Sequence, residues 1–584
     1  MESSSLGSIQ IEGTSVRLAG TSSQLDTGGL VQSLVEAKKI PALRLENKIT
    51  VNEPRIAAYQ DVRTILGDLQ TAAKGLRNEL GFLGASENIF QQKLAFFSSD
   101  TATPPGDLLS VRVDNNAAVG SFDVTVEQTA RVRKFASAAA SDAQLDLATS
   151  INGGTAFTGA FSIGLEGGDR VTFDVEGTDS LADLKARINA ESEATGVSAN
   201  ILQVADDAFR LVFTADEPGK EVVLADEGDP GIFPFPGDDD VLDILGLSAD
   251  GGTTFANGLQ DPQLARITID GLTVERNTNS IDDVIDGVTL DLFRAEAGTT
   301  ITVDIERDLA AVKEQVTAFL DSYNAFRDLV VQNREVNADG TVSENAPLFG
   351  DTLLRNMEQS LADDMTLAIP GLPNDAIGTL GAVGIVMVEG GRLIMDEQTF
   401  DDALLDDADA VRRIFEFDFR SSSADLDIFA RGDRIADTEF SIAITDADDD
   451  GIAESVTIDG IAAEVDGNTI RGAAGTDYEG LEFLWYGNGS DTIDVTLSQG
   501  IADRLYNRLD GLTDTLTGTI ENEIDGLEEL NDGFRDQITR IEERAEDYRL
   551  RLIEQFSAME TALSLAEAMM DQIGAVTGAL QGDR

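Results

Sequence analysis

The sequence predicts an α+β multidomain chain, with paired N- and C-terminal helices forming a coiled-coil leg and several β-rich domains inserted between them. Three observations predict it. Both chain ends carry apolar residues spaced by three and four, the period of one helix face. The long middle alternates apolar and polar residues around Gly-rich turns. A hydrophobic content of 42% supports real cores, while 55 Gly and only 6% aromatics suit β-rich units with many turns.

The N-terminal stretch "LDTGGLVQSLVEAKKIPALRLENKI" places Leu30, Leu34, Leu45 and Ile49 at helical spacing. From Ile56 the stripe continues through Tyr59, Val62, Leu66, Leu69, Ala73, Leu76, Leu80 and Leu83. Pro41 and Pro54 fall inside it, and proline in a helix interior removes a hydrogen bond, so breaks are expected there. The tail from Ile501 reads as helix almost throughout. Its seam runs Ile520, Ile524, Leu527, Leu530 or Asn531, Phe534, Ile538, Ile541, Ala545, Tyr548, Leu552, Met559 and Leu563, with mixed charges between. Neither stripe has enough neighbouring sequence to cover it, so each needs a partner. The economical partner is the other end of the chain.

Between these ends the expected segments are a flexible tail (1–25), the N-terminal leg (26–87), a β-rich connection (88–140), a β-rich head (141–263), a β-rich plate (264–308), a helix-and-hairpin region (309–417), a β-rich insertion (418–500) and the C-terminal leg (501–584). "FTGAFSIGLEGGDRVTFDV" reads as a hairpin turning at Gly-Gly, "SLADLKARINAES" as a short amphipathic helix, and the "IDG" repeats of 264–306 as further turns. "DEGDPGIFPFPGDDD", residues 226–240, reads as a loop.

Charge narrows the function. Lys+Arg 42 against Asp+Glu 107 gives −65, which repels phosphate backbones and argues against nucleic-acid partners. With no Cys and no His, disulfides, thiolate zinc sites and His-based triads are excluded. No G-x-x-x-x-G-K phosphate loop occurs, and acidic pairs arise by accident in so acidic a chain, so the reading is not an enzyme. No run of about 18 apolar residues predicts a membrane span. The N-terminus lacks the basic-then-apolar pattern of a cleaved signal.

One cluster could hold a metal. "TDADDDGIAES" sets Asp446, Asp448, Asp450 and Gly451 at D-x-D-x-D-G spacing, with Glu454 at the ninth position. Closely spaced carboxylates suit calcium. Thr457 stands where the bidentate Glu belongs, and the flanks read as strands, so a solvated hairpin turn is the competing reading. Arg431-Gly432-Asp433 matches a tripeptide of some adhesion ligands, too short to be specific.

Several motifs in a fixed order resemble the bacterial flagellar filament capping protein family, flagellar hook-associated protein 2. They include the opening Asp-Thr-Gly-Gly-Leu and its Leu-Val repeat, "FQQKLAFFSSD" with "VGSFDVTVEQTARVRKFAS", and "FDVEGTDSLADLKARINAESEATGVSANIL", which is similar to a repeat shared by flagellins and hook-associated proteins. "LARITIDGLTVERNTNSIDDVIDGVTLDL", "LGAVGIVMVEGGRLIMDEQTFDDALLDDADAVRRIF" and the tail coiled coil continue it. The resemblance implies a homo-oligomeric ring, often a pentamer, at the filament tip, helping flagellin polymerise and keeping it from leaking away. It implies contacts with flagellin and hook–filament junction proteins. Secretion to the cell exterior would use the flagellar type III export apparatus without a cleaved signal, with an export chaperone on the C-terminal helices. No cofactor is implied. Leu30, Leu34, Leu45, Ile49 and Ile56 are the candidate leg contacts at one end, and Ile538, Ile541, Tyr548, Leu552 and Met559 at the other. Competing readings are an extracellular calcium-dependent adhesin using the 418–498 block, or another hook-associated or flagellin-like subunit.

Overall fold

A computed structural model of the chain describes residues 9–12, 15–18, 26–77, 88–227, 240–248, 250, 252, 254–372, 377–431 and 439–581. Most of the 226–240 loop, Leu80 and Leu83 of the N-terminal stripe, and Gly432-Asp433 lie outside the described residues. The chain forms two compact units: Met1–Leu80 with Lys313–Arg584, and Gly81–Val312.

The unit of residues 81–312 contains two β cores. In one, a five-stranded antiparallel sheet runs in the order Leu272–Arg276, Ala265–Ile269, Gly120–Gln128, Ile301–Arg307, Lys93–Ser99. A three-stranded sheet of Ser280–Ile285, Val288–Leu292 and Leu109–Val113 shares its core, where Val124, Ile267 and Val303 meet Leu109, Ile281 and Leu290. Every second residue of Ile301–Ile305 is buried, the period-two burial that alternating sequence dictates. The first "IDG" turn works because Asp270 (φ 48°) and Gly271 (φ 81°) both accept left-handed backbone, as a tight hairpin requires.

The second core joins a four-stranded and a three-stranded sheet around Phe135, Phe161, Phe213 and Leu224. The Gly-Gly hairpin pairs Thr158–Leu165 with Arg170–Glu176 as the sequence predicts. The amphipathic helix Leu181–Ala190 buries Leu181, Leu184 and Ile188 in this core. Its start is fixed by a capping box between Ser180 and Asp183.

The other unit holds the long helices. The N-terminal helix, Thr27–Leu76, begins where Asp26 accepts the Gly29 N–H. It runs unbroken through Pro41 and Pro54, against the expected breaks. Both prolines, and the residues four positions earlier, Ala37 and Thr50, are exposed, so the carbonyls left without donors reach water and the packed zones on either side keep the helix continuous. At the other end, Ile501–Thr513 and the C-terminal helix Thr519–Gln581 are separate segments. Asp514 ends the first helix by accepting from Thr517 N (2.6 Å) and Leu516 N (3.0 Å).

Helices Leu309–Gln332, Thr352–Thr366 and Glu397–Phe415 add an apolar body in which Phe319 meets Phe415 edge-on at 6.3 Å. Asn324 clamps the "GGR" hairpin, exchanging two 2.8 Å bonds with the Leu393 backbone. Residues 417–499 form a two-sheet β block around Trp485, Phe483, Ile442 and Val495. This architecture, terminal helices paired with β-rich regions between them, is the predicted fold class.

Candidate functional site: the paired-helix leg

The leg is antiparallel. The N-terminal helix packs against both the C-terminal helix and Ile501–Thr513. At its distal end Val31 and Val35 join Ala545, Leu552 and Ile553 in one core, with Leu34, Tyr548 and Phe556 packed against it. At its base Tyr59, Val62, Leu66, Leu69 and Leu76 are fully buried, as are Leu505, Leu509 and Ile520.

Between these zones polar contacts join apolar side chains that are only half-buried. Asn52 Nδ2 donates to Asn531 Oδ1 at 2.9 Å. Lys48 lies over the Phe534 ring at 5.1 Å and Lys38 over Tyr548 at 5.5 Å. Arg535 reaches Glu53 at 3.4 Å and Lys39 reaches Glu542 at 3.9 Å, both solvent-exposed. Lower down, Arg63 pairs with Glu521, and the Tyr59 hydroxyl donates to Asp351 at 2.7 Å. Burial, first, and then the Asp351 carboxylate push the Tyr59 phenol well above its ordinary pKa.

At the base of the leg a carboxylate joins three distant segments. Asp503 is fully buried and pairs with both Arg77 and Arg431, while Gln499 donates to its other oxygen at 2.9 Å. Arg77 also stacks over Tyr506 at 4.0 Å, and Arg431 over Phe417 at 4.1 Å. The arginine of the Arg-Gly-Asp tripeptide is thus a buried structural residue, not a displayed one.

The residues singled out from sequence fall into three groups. Leu34, Tyr548 and Leu552 belong to the distal core. Leu45, Ile49, Ile56, Ile538, Ile541 and Met559 line the leg half-buried. Leu30 does not face the seam: it is 46% exposed, and its neighbour Val31, 5% exposed, takes the core position. In a heptad only the first and fourth positions meet the partner helix, and Val31 rather than Leu30 keeps step with Val35 and Ala42. Of the pair left open, Asn531 is buried and Leu530 is 53% exposed. Sequence reasoning placed Ala545 in the seam but missed Val31, Val35, Ala42 and Ile553; the signal was the unbroken seven-residue step from Val35 to Ala42 and Ile49.

The acidic loop is a hairpin connection between Glu439–Thr445 and Ser455–Ile458. Asp446, Asp448 and Glu454 bring carboxylate oxygens within 4.8 Å of one another. Asp450 instead caps the Ile452 N–H at 2.9 Å. The Asp446 carboxylate accepts N–H bonds from Gly489 (2.8 Å), Gly451 (3.1 Å) and Asp450 (3.3 Å). Partial burial pushes its pKa up, but these N–H groups outweigh that and hold it below the usual value. The neighbouring Asp450, burial and Glu454 push Asp448 the other way.

Two family models match the chain in sequence order: Flagellar hook-associated protein 2 N-terminus over residues 23–133 and Flagellar hook-associated protein 2 C-terminus over 263–568. Between them the Flagellin hook IN motif matches 160–217. The chain is 29% identical over 421 residues to the A-type flagellar hook-associated protein 2 of Pseudomonas aeruginosa, covering 69% of this chain and 81% of that one. It is 24% identical over 454 residues to flagellar hook-associated protein 2 of Escherichia coli K12, covering 76% and 88%. Among solved structures, the flagellar cap protein D1-D2-D3 domains from Escherichia coli align with a TM-score of 0.48 at 20% identity, over 81% of this chain and 99% of that one. With the C-terminal family model alone spanning residues 263–568, over half the sequence, the chain belongs to the flagellar hook-associated protein 2 family, the family of the flagellar filament cap.

Proposed function

We propose that the protein is the structural cap and assembly chaperone at the distal end of the flagellar filament, where it promotes flagellin polymerisation and prevents exported flagellin from escaping. The observation that carries this reading is the order of the two hook-associated protein 2 matches along a chain whose ends pair into a helical leg. On this reading the protein acts outside the cell as a homo-oligomeric ring, a pentamer in the expected form. It meets flagellin and the hook–filament junction proteins, and it arrives through the flagellar type III export apparatus without a cleaved signal. Among the described residues, no helix is long and apolar enough to cross a membrane.

The far end of the C-terminal helix supports a partner-binding role. Its residues 561–577 are exposed, including Leu565, Met569, Met570, Ile573 and Val576. An apolar helix end of this kind suits an export chaperone before secretion and filament subunits after it. The family membership gives the adhesin reading no support. The acidic loop, with its central carboxylate engaged by three N–H groups, acts on this reading as a turn and needs no cation.

Deleting the gene tests the proposal. A cap predicts unpolymerised flagellin in the culture medium with short or absent filaments, restored by the gene in trans. Normal filaments without released flagellin overturn it.

A further inference from the structure

The leg is tight at both ends and loose between them. From Leu43 to Ala57 of the N-terminal helix no residue is buried, although Ala42 and Ala58 on either side are. Along the C-terminal helix, Asn531 is the one buried residue between Leu527 and Ala545. Its apolar side chains are half-buried at most, Leu45, Ile49, Ile56, Phe534, Ile538 and Ile541 among them, and others face outward: Leu43 is 54% exposed, Val51 63% and Leu530 53%.

Several independent features coincide there. Pro41 just before the stretch and Pro54 within it leave the Ala37 and Thr50 carbonyls without helical donors. Gly533 of the opposing helix lies within it and Gly526 at its edge, and helical glycine lowers local helix stability. The seam contact at its centre is the Asn52–Asn531 hydrogen bond. A side-chain amide pair in a helix seam selects register at a cost in stability. Further cross-helix contacts, Lys48 over Phe534, Arg535 with Glu53, Lys39 with Glu542 and Arg55 with Glu523, lie near the surface and contribute little.

We infer that residues 43–57 and 528–544 form a built-in hinge of the leg, which opens locally while the distal core around Val31 and Leu552 and the base around Val62 and Leu66 stay closed. The amide pair returns the helices to one register each time the stretch closes. Local opening draws on regions with few buried apolar contacts, and this stretch is bounded by regions that have many. The leg can therefore bend without its two halves separating, and the distal core holds the two helices together throughout.

Amide hydrogen exchange on the full-length protein tests this directly. Peptides within 43–57 and 528–544 should exchange about tenfold or more faster than peptides within 59–76 and 545–556. Equal protection along the leg overturns the hinge. Because the chain lacks cysteine, spin labels can be placed cleanly by Asn47→Cys with Gln537→Cys across the stretch, and by Glu36→Cys with Asp547→Cys across the distal core. A broad distance distribution for the first pair and a narrow one for the second supports the hinge; two equally narrow distributions overturn it. Replacing both amides, Asn52→Leu with Asn531→Leu, should slow exchange in the stretch toward that of its flanks. Unchanged exchange in this variant overturns the role given to the amide pair. Should the variant fail to fold, the wild-type exchange and spin-label measurements decide the matter.

Discussion

Asn52 and Asn531, 479 positions apart in the chain, share a 2.9 Å side-chain hydrogen bond in the seam of the leg. Asn52 donates and Asn531 accepts, so removing Asn531 strands the half-buried Asn52 amide. Asn531→Ala should destabilise the protein by about 1–3 kcal/mol, the cost of an unsatisfied amide. The double replacement by Leu should instead raise the melting temperature, because it converts a polar seam position to an apolar one. Thermal unfolding of both variants by circular dichroism checks the opposite signs.

Asp503 carries a heavier load. It is fully buried and neutralises Arg77 and Arg431, whose side chains are 15% and 6% exposed. Asp503→Asn removes the negative charge and keeps the shape, taking away the buried carboxylate that Arg77 and Arg431 share. The expected loss is about 3–5 kcal/mol. Denaturant unfolding measures it, and a loss under about 1 kcal/mol, the scale of a surface pair, contradicts this account.

Tyr323 gives the fold an alkaline limit. Burial, and secondarily Glu358, push its phenol from 10.0 up to about 12, while Arg327 pulls the other way. The folded state therefore holds this proton more tightly than the unfolded chain. The resulting stability is complete below pH 10 and is lost as pH rises toward 12. The hydroxyl has no hydrogen-bond partner among the described residues, so Tyr323→Phe should leave stability at pH 7 unchanged or slightly higher. Between pH 10 and 12 the variant should lose less stability than the native protein on unfolding by denaturant.

The acidic hairpin loop should behave as a turn. Asp446→Ala removes the acceptor of the Gly489, Gly451 and Asp450 N–H groups and should lower the melting temperature. Because the Asp446 carboxyl is held below its ordinary value of 3.8, its contribution is present above that pH and fades as pH falls through the lowered value. Adding EDTA or millimolar calcium should leave the melting curve in place; a calcium-dependent rise would reassign Asp446, Asp448 and Glu454 as ligands.

A net charge of −65 makes the folded chain repel itself. Raising monovalent salt from about 0.1 M to 1 M shortens the screening length from about 10 Å to about 3 Å. The melting temperature should therefore climb with sodium chloride over that range. Differential scanning calorimetry at several salt concentrations checks the slope; a flat or falling curve means the charges are already compensated within the fold.

The sequence by itself determined the helical ends, the Gly-Gly and Asp-Gly hairpins, and the capped helix at Ser180, because each rests on residues within one or two turns of each other. It also determined that both terminal stripes need partners, since an uncovered apolar face is unfavourable in water. Tertiary structure decided which residues fill the seam. Leu30 and Val31, or Leu530 and Asn531, sit about 100° apart on a helix, and only the partner's position selects Val31 and Asn531. It decided too that the N-terminal helix passes through two prolines, because the freed carbonyls face water and the packed zones on either side keep the helix continuous. The Asp503 cluster was invisible beforehand: Arg77, Arg431 and Asp503 share no local pattern, and folding alone makes them neighbours in a buried site where charge must be matched.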